Sequence, residues 1–344
     1  MLTNSILPVL LALDPIGLWK GWLDSGSVML EAVAVLLYAI VVMVIIAVFA
    51  YLFGWTERKL IAKIQHRHGP TYVGKYGILQ NMADLIKLLA KENIVPDNAN
   101  KRLMQLSAIF ILSASTFLVL LLPFSPSLQV ASFGTGLIAV FVVISFMPLA
   151  IFVGGVASGN KFGHISAQRS VLMLLSYELP MVLVVAAAAM LSGSYNIAQL
   201  ITVQSTRGYF ALLMPIGFVV FFIAMLAEFE RPPFDIREAD SELISGWLTD
   251  FSAPYYALVL FIDYTRMFLG SMLVAIIFLG GWNGPLLPGP VWLIAKAALV
   301  AVFTIIIRAT TMRMRIDRML RFGWMWLLPL SLINLVLTYI IFVA

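Results

Sequence analysis

The chain has no cysteine and only three histidines in 344 residues. The first absence excludes structural disulfides and any iron–sulfur cluster ligated by this polypeptide. The histidines, His66, His68 and His164, fall between the apolar segments, so a membrane haem held by two axial histidines is excluded too. The His66-x-His68 pair has no third ligand nearby, and no metal site is expected. Charge is scarce: 11% of residues are Asp, Glu, Lys or Arg, against 62% hydrophobic. With a mean hydropathy of +0.99, this composition belongs to an integral membrane protein. No internal repeat of the kind found in inverted-repeat transporters is evident. No nucleophile motif or phosphate loop stands out, and no nucleic-acid partner is expected. The first residues, MLTNSILPVLLALDP, lack a basic stretch, and Pro8 and Pro15 break their apolar run. They read as an amphipathic segment lying along the membrane surface, not as a secretory signal.

What the chain does have is eight apolar windows, each able to cross about 30 Å of hydrocarbon. They cover approximately 28–54, 103–123, 132–155, 167–192, 209–227, 255–281, 291–311 and 324–343. Long unbroken runs do not match barrel strands. The predicted fold is all-α: one polytopic membrane domain, 1–344, of about eight transmembrane helices plus amphipathic interfacial helices. Of the 22 Lys and Arg, 18 follow spans one, three, five and seven. The positive-inside rule then places the connections 55–102, 156–166, 228–254 and 312–323 in the cytoplasm and both termini outside. The expected location is the inner membrane of a prokaryotic cell or an organelle.

One segment concentrates what little acid there is. From Glu228 to Asp250, 23 residues hold seven of the chain's 17 carboxylates, directly after one span and before the next. Glu228, Glu230, Asp235, Glu238, Asp240 and Glu242 are interrupted by Arg231, Pro232, Pro233 and Phe234. A solvated loop would explain the acids but has no use for a rigid proline pair and a bulky aromatic. Charge this dense beside a bilayer is costly to bury and points to function.

Two other connections are charged. In 55–102, Ile78, Leu79, Met82, Leu85, Ile86 and Leu89 recur at helical spacing, with Asp84, Lys87, Lys91 and Glu92 opposite. That is an amphipathic helix of about fifteen residues at the interface. The basic residues before it, Arg58, Lys59, Lys63 and Arg67, are either topogenic or functional. In the last connection, Arg308, Arg313, Arg315, Arg318 and Arg321 face only Asp317. Anionic lipid, an acidic partner, or the acidic loop itself would each account for them.

Within the spans, Glu178 lies close to mid-membrane. It either handles protons or forms a structural hydrogen bond between helices. Asp263 and Arg266 share a helical face, and an internal ion pair is the simplest account. Lys296 is expected to snorkel to the outer interface. A line from Glu228 and the loop acids through Glu178 is geometrically conceivable.

These residues resemble the H subunit of NADH:quinone oxidoreductase (respiratory complex I) and its mitochondrial counterpart. The resemblance runs from about Glu57 to Trp324. It rests on ERKxxAxxQxRxGPxxVGxxGxLQxxADxxKLLxKE, the SYE triplet of span four, AExxRxPFDxxEAxSELxxG, FLGGW and RxRxDxxxxxGW. The resemblance implies a membrane subunit of a proton-translocating oxidoreductase that forms most of a quinone chamber beside the partner carrying the last iron–sulfur cluster. Glu57, Arg58, Arg67, Asp84 and Lys87 would then belong to the first loop and chamber entrance. Arg231, Phe234 and Asp235 would line its acidic wall. Glu178, Glu228, Glu238, Asp240 and Glu242 would form a buried acidic proton path, with Arg169, Arg313 and Asp317 in support.

The resemblance also implies quinone as substrate and no cofactor bound covalently or through a metal on this chain. Iron–sulfur clusters would sit on peripheral-arm partners, alongside other membrane-arm subunits. The chain departs from many members at Met173, where they have Gln, and in FERPP with Glu230 and Pro232. The donor is therefore open among NADH, reduced deazaflavin and ferredoxin modules. Two other readings compete: an ion-translocating subunit of a membrane-bound hydrogenase that uses no quinone, and a stand-alone cation transporter.

Overall fold

The computed structural model describes residues 28–126, 134–238, 240–285 and 288–342. The N-terminal segment read as amphipathic lies outside these residues. Every regular element among them is helical. Among the described residues seven helices are long and apolar enough to cross a membrane, so the chain is a multi-pass, all-α membrane protein.

The first helix, α1 (Val28–Ile64), runs well past the predicted window. Its continuation ERKLIAKI consists mainly of good helix formers, and nothing in it stops the helix. Thirty-seven residues give about 55 Å of helix, so the charged last turns extend beyond the apolar part. Short α2 (Gln80–Ala90) is the predicted amphipathic helix. Gly77 just before it has φ 72°, and a Cβ there would lie 2.1 Å from the Pro70 carbonyl oxygen, so only glycine fits.

Spans α3 (Lys101–Leu121), α4 (Gly136–Ala157) and α5 (Lys161–Ser192) follow and pack in sequence, α3 on α4 and α4 on α5. The Asn160 side chain caps α5 by accepting from the Phe162 N–H at 3.2 Å, and Gly193 ends it at φ 68°.

The predicted fifth span is not one long helix. After α6 (Ile197–Arg207), the chain makes a single turn, α7 (Phe210–Leu213), and breaks at Met214 before Pro215. Proline lacks the N–H that would continue α7 but suits a first helical turn. The remaining α8 (Pro215–Glu228) has 14 residues, about 21 Å, shorter than the hydrocarbon layer. Its first turn is satisfied from another helix: the Gly217 N–H donates to Asn334 Oδ1 at 3.0 Å. A Cβ at position 217 would meet that amide at 2.7 Å. Close approach through a small residue plus an interhelical hydrogen bond is how helices adhere in lipid.

After the turn α9 (Asp240–Leu243) come α10 (Ala253–Phe278), α11 (Gly289–Thr310) and the short α12 (Ile316–Phe322). A π-helical turn, Gly323–Leu327, joins α12 to α13 (Leu328–Phe342). Helix α10 is the centre: 78% of its apolar window is buried, against 22% for the last span. Phe49 of α1 stacks on its Phe268 at 4.5 Å, and Phe218 and Phe221 of α8 pack on its Phe278.

Lys296, expected to reach toward the outer interface, finds acceptors in the connection that follows α10. Its ammonium donates to the carbonyls of Leu279, Gly281 and Asn283 at 2.6, 3.0 and 2.7 Å, where α10 ends. Those carbonyls have no helical partner and sit at the negative end of the helix dipole.

Candidate functional site

Two features meet on α10. The first is a cavity of about 590 Å³ between α1, α2 and α10. Its walls are largely apolar, including Val44, Val48, Leu85, Leu88, Leu260 and Phe261. Its polar groups are few: Arg58 and Asp84, Asn81, and the rings of Tyr51 and Tyr264. Arg58 and Asp84 form an ion pair of 2.5 Å, with both side chains well exposed. Burial works against the Asp84 carboxylate, but Arg58 and the Gln80 amide (3.0 Å) outweigh it and hold its pKa below the usual value. The start of α2 is pinned to α1 by Asn81 Nδ2 donating to the Tyr51 carbonyl at 3.0 Å and Trp55 Nε1 donating to the Tyr76 carbonyl at 3.2 Å.

Behind the cavity the site turns ionic. Tyr264, on the cavity wall, lies under the Arg231 guanidinium, 5.2 Å from the ring centroid, and is close enough to Glu57 to interact with it electrostatically. Glu57 is 3% exposed and is shared by Arg308, in close contact, and Arg231 at 3.5 Å. The continuation of α1 past the predicted end at residue 54 carries Glu57 to the acidic loop.

The second feature is a closed ring of buried polar groups. Tyr177 of α5 donates to Glu228 Oε2 at 2.8 Å and accepts from Arg237 Nη2 at 3.1 Å. Arg237, fully buried, pairs closely with Glu230. Glu230 pairs closely with Arg266, whose other nitrogen returns to Glu228 Oε1 at 3.0 Å and to the Glu228 carbonyl at 2.5 Å. Buried charges are tolerated only with such partners. Burial would raise the Glu230 pKa, but Arg237 and Arg266 hold it below the usual carboxylate value. Glu230 also has φ 55°, a left-handed conformation unfavourable for a side-chain-bearing residue, so the fold enforces its placement.

Next to the ring, Glu238 behaves in the opposite sense. Burial, with Asp263, Asp235 and Glu230 beside it, pushes its pKa well above the usual value. The predicted Asp263–Arg266 ion pair is not the pairing found. Arg266 gives its hydrogen bonds to Glu228 and Glu230, because the acidic loop folds back onto α10 and brings two carboxylates to it.

The remaining residues singled out from the sequence are dispersed. Phe234 is buried, and Asp235 is half-buried near Glu238. Glu178 accepts a close hydrogen bond from Ser145 of α4 and is half-buried among exposed Leu175, Leu179 and Val182. It is its neighbour Tyr177 that enters the ring. Glu242 departs from the expectation of a buried path: it is exposed, with Arg169 at 2.6 Å and Arg313 at 3.2 Å. Its pKa is lowered, first by the Arg169 hydrogen bond. The side chain of Asp240 lies outside the described residues. Arg67 bonds Gln65 at the surface, Lys87 is exposed, and exposed Asp317 lies 3.7 Å from Arg315. No group of three or more potential metal ligands occurs among the described residues.

Sequence reasoning missed Tyr177, Tyr264 and Arg237, and gave Arg308 no special place. The SYE triplet held a signal for Tyr177, since a tyrosine beside an intramembrane acid is a natural hydrogen-bond partner. Nothing local marked Arg237 as buried.

The fold and site together are those of a multi-pass helical membrane protein with a largely apolar cavity between α1, α2 and α10 and paired buried charges behind it. The chain belongs to the NADH dehydrogenase family, whose model matches residues 36–339. The NADH-quinone oxidoreductase H subunit of Dehalococcoides mccartyi (strain CBDB1) is 38% identical, covering 88% of this chain and 85% of the relative. The H subunits of the same oxidoreductase from Carboxydothermus hydrogenoformans and Bacillus cytotoxicus are 35% and 37% identical, covering 94% and 83% of this chain and 95% and 87% of theirs. The resemblance read from the motifs and the role as a membrane subunit of such an oxidoreductase are thereby borne out, and other subunits of the complex are its partners.

Proposed function

We propose that the chain forms the quinone chamber of its complex and the first stage of the path that couples quinone reduction to proton translocation. The observation that carries this reading is Tyr264. It is at once part of the apolar cavity wall and, through its ring, in contact with the Arg231 guanidinium that pairs with Glu57, so one side chain joins a site for an isoprenoid-like molecule to the buried charges.

Two-electron reduction of a quinone places negative charge on its oxygens and takes up two protons. Electrons come from an iron–sulfur partner in the peripheral arm, since this chain has no cysteine to hold a cluster. Arg231 and Arg308 offset the developing charge from behind Tyr264. Glu238, with its raised pKa, keeps a proton at pH values where an ordinary glutamate has lost it, and serves as a donor. A proton leaving that group changes the field on Glu230 and hence on the ring. Through Tyr177 the change reaches the α4–α5 face, where Glu178 continues the path. Arg58, Asp84, Arg67 and Lys87 frame the cytoplasmic approach, and Glu242 with Arg169, Arg313 and Asp317 braces the loop. In this orientation both termini face outward and the charged connections face the cytoplasm and the peripheral arm.

The test uses the assembled complex. Tyr264→Phe is expected to slow quinone reduction by about tenfold to a hundredfold while the complex assembles normally. Quinone-site inhibitors should compete at the cavity. Full turnover in their presence would favour the hydrogenase-type reading, in which no quinone enters.

A further inference from the structure

Helix α12 and the π-helical turn after it carry a surface that neither the cavity nor the ring uses. Arg318 and Arg321 are exposed and make no ion pair among the described residues, and Arg315 is 76% exposed. One turn further on, the widened backbone of Gly323–Leu327 points three consecutive large side chains outward. Trp324, Met325 and Trp326 are 51%, 65% and 63% exposed. Below them on α13, Leu332, Ile333, Val336 and Ile340 form an exposed apolar stripe at helical spacing. The order along the axis is therefore guanidinium, indole, alkyl.

We infer that this surface is a binding site for an anionic phospholipid of the leaflet that meets the basic connections. Guanidinium groups bind phosphate through paired hydrogen bonds, and Arg318 and Arg321, three apart on α12, share a face and can both reach one headgroup. Indoles rest at the level of the glycerol esters, with an apolar body inward and an N–H available to an ester carbonyl. The alkyl stripe then lies along the acyl chains. An acidic protein segment would satisfy the arginines but leave two indoles and the stripe uncovered. A neutral lipid would cover the stripe but leave the arginines without a counter-charge. Only a molecule with all three zones matches the sequence of chemistries. The site stands apart from the proposed quinone chamber, so its failure and that reading's failure are separable.

The test is native mass spectrometry of the intact complex extracted from nanodiscs of phosphatidylcholine with and without phosphatidylglycerol. Wild type is expected to retain phosphatidylglycerol in preference to phosphatidylcholine. In Arg318→Gln/Arg321→Gln that preference should fall by roughly twentyfold, whereas Arg318→Lys/Arg321→Lys keeps most of it. Quinone reduction with a soluble quinone should stay unchanged in both. Should the glutamine pair fail to assemble, Trp324→Ala/Trp326→Ala decides the matter, with loss of retained phospholipid expected. Undiminished retention in either variant overturns the proposal. So does a map of the complex with a polypeptide seated on Arg318 and Arg321.

Discussion

Arg266 and Lys296 are cations in apolar surroundings served by the same helix, α10, yet their partners are of opposite kinds. Lys296 gives its protons to three backbone carbonyls at the helix end, and the rings of Tyr209 and Trp292 lie 5.4 and 5.9 Å away. None of those acceptors titrates. Arg266 instead holds two carboxylates, and through them a tyrosine and a second arginine. Every carboxylate in that ring can gain or lose a proton. The comparison separates a half-buried cation that fastens the fold from a buried one whose surroundings can change charge.

Arg266→Met should have the largest effect. It leaves Glu228 and Glu230 facing each other with one cation fewer, at a cost of about 3–5 kcal/mol. The yield and thermal unfolding of the purified complex would show this, and a normally stable variant would mean that the ring is not held by charge. Glu228→Gln comes next. It keeps an acceptor for Tyr177 but cannot carry a proton, so proton translocation in vesicles should fall by about a hundredfold with assembly intact. Undiminished pumping would remove the ring from the proton path.

Lys296→Met sharpens the contrast from the other side. Three carbonyls lose their donor, which costs about 1–3 kcal/mol, and the melting temperature should drop. The pH profile of quinone reduction should not move, because the acceptors do not titrate. A displaced profile would make the two sites alike after all.

The smallest effect is expected from Asp84→Asn at the cavity mouth. An exposed pair contributes at most about 1 kcal/mol, so stability should barely change while KM for quinone shifts a few-fold, less so at high salt. Because the folded pKa of Asp84 is depressed, its contribution is complete above the unfolded value of about 3.9. It should fade only as pH falls through the lower folded value, which a pH series of KM in the wild type would confirm.

The all-helical, multi-pass class was legible because lipid imposes one rule, length of apolar helix, that composition reports directly. Where a second constraint acts, the sequence misled. The run 209–227 is apolar throughout, but Met214–Pro215 splits it, and no hydropathy window registers a break in hydrogen bonding. Residues 55–64 are charged and so read as loop, although their helix propensity carries α1 on to Ile64. The acidic loop itself was marked by its density of charge. Which of its acids turn inward depends on how the loop folds onto α10, so Glu230 and Arg237 went unassigned while Glu242 was placed too deep.

Glu57 and Arg58 are consecutive residues on a rigid helix, about 100° apart around its axis. One is locked under the acidic loop by Arg308 and Arg231, and the other grips α2 across the cavity mouth. The tip of α1 therefore ties two places together through adjacent side chains, so the rim of the cavity and a charge buried behind it are held in register by a single turn of helix.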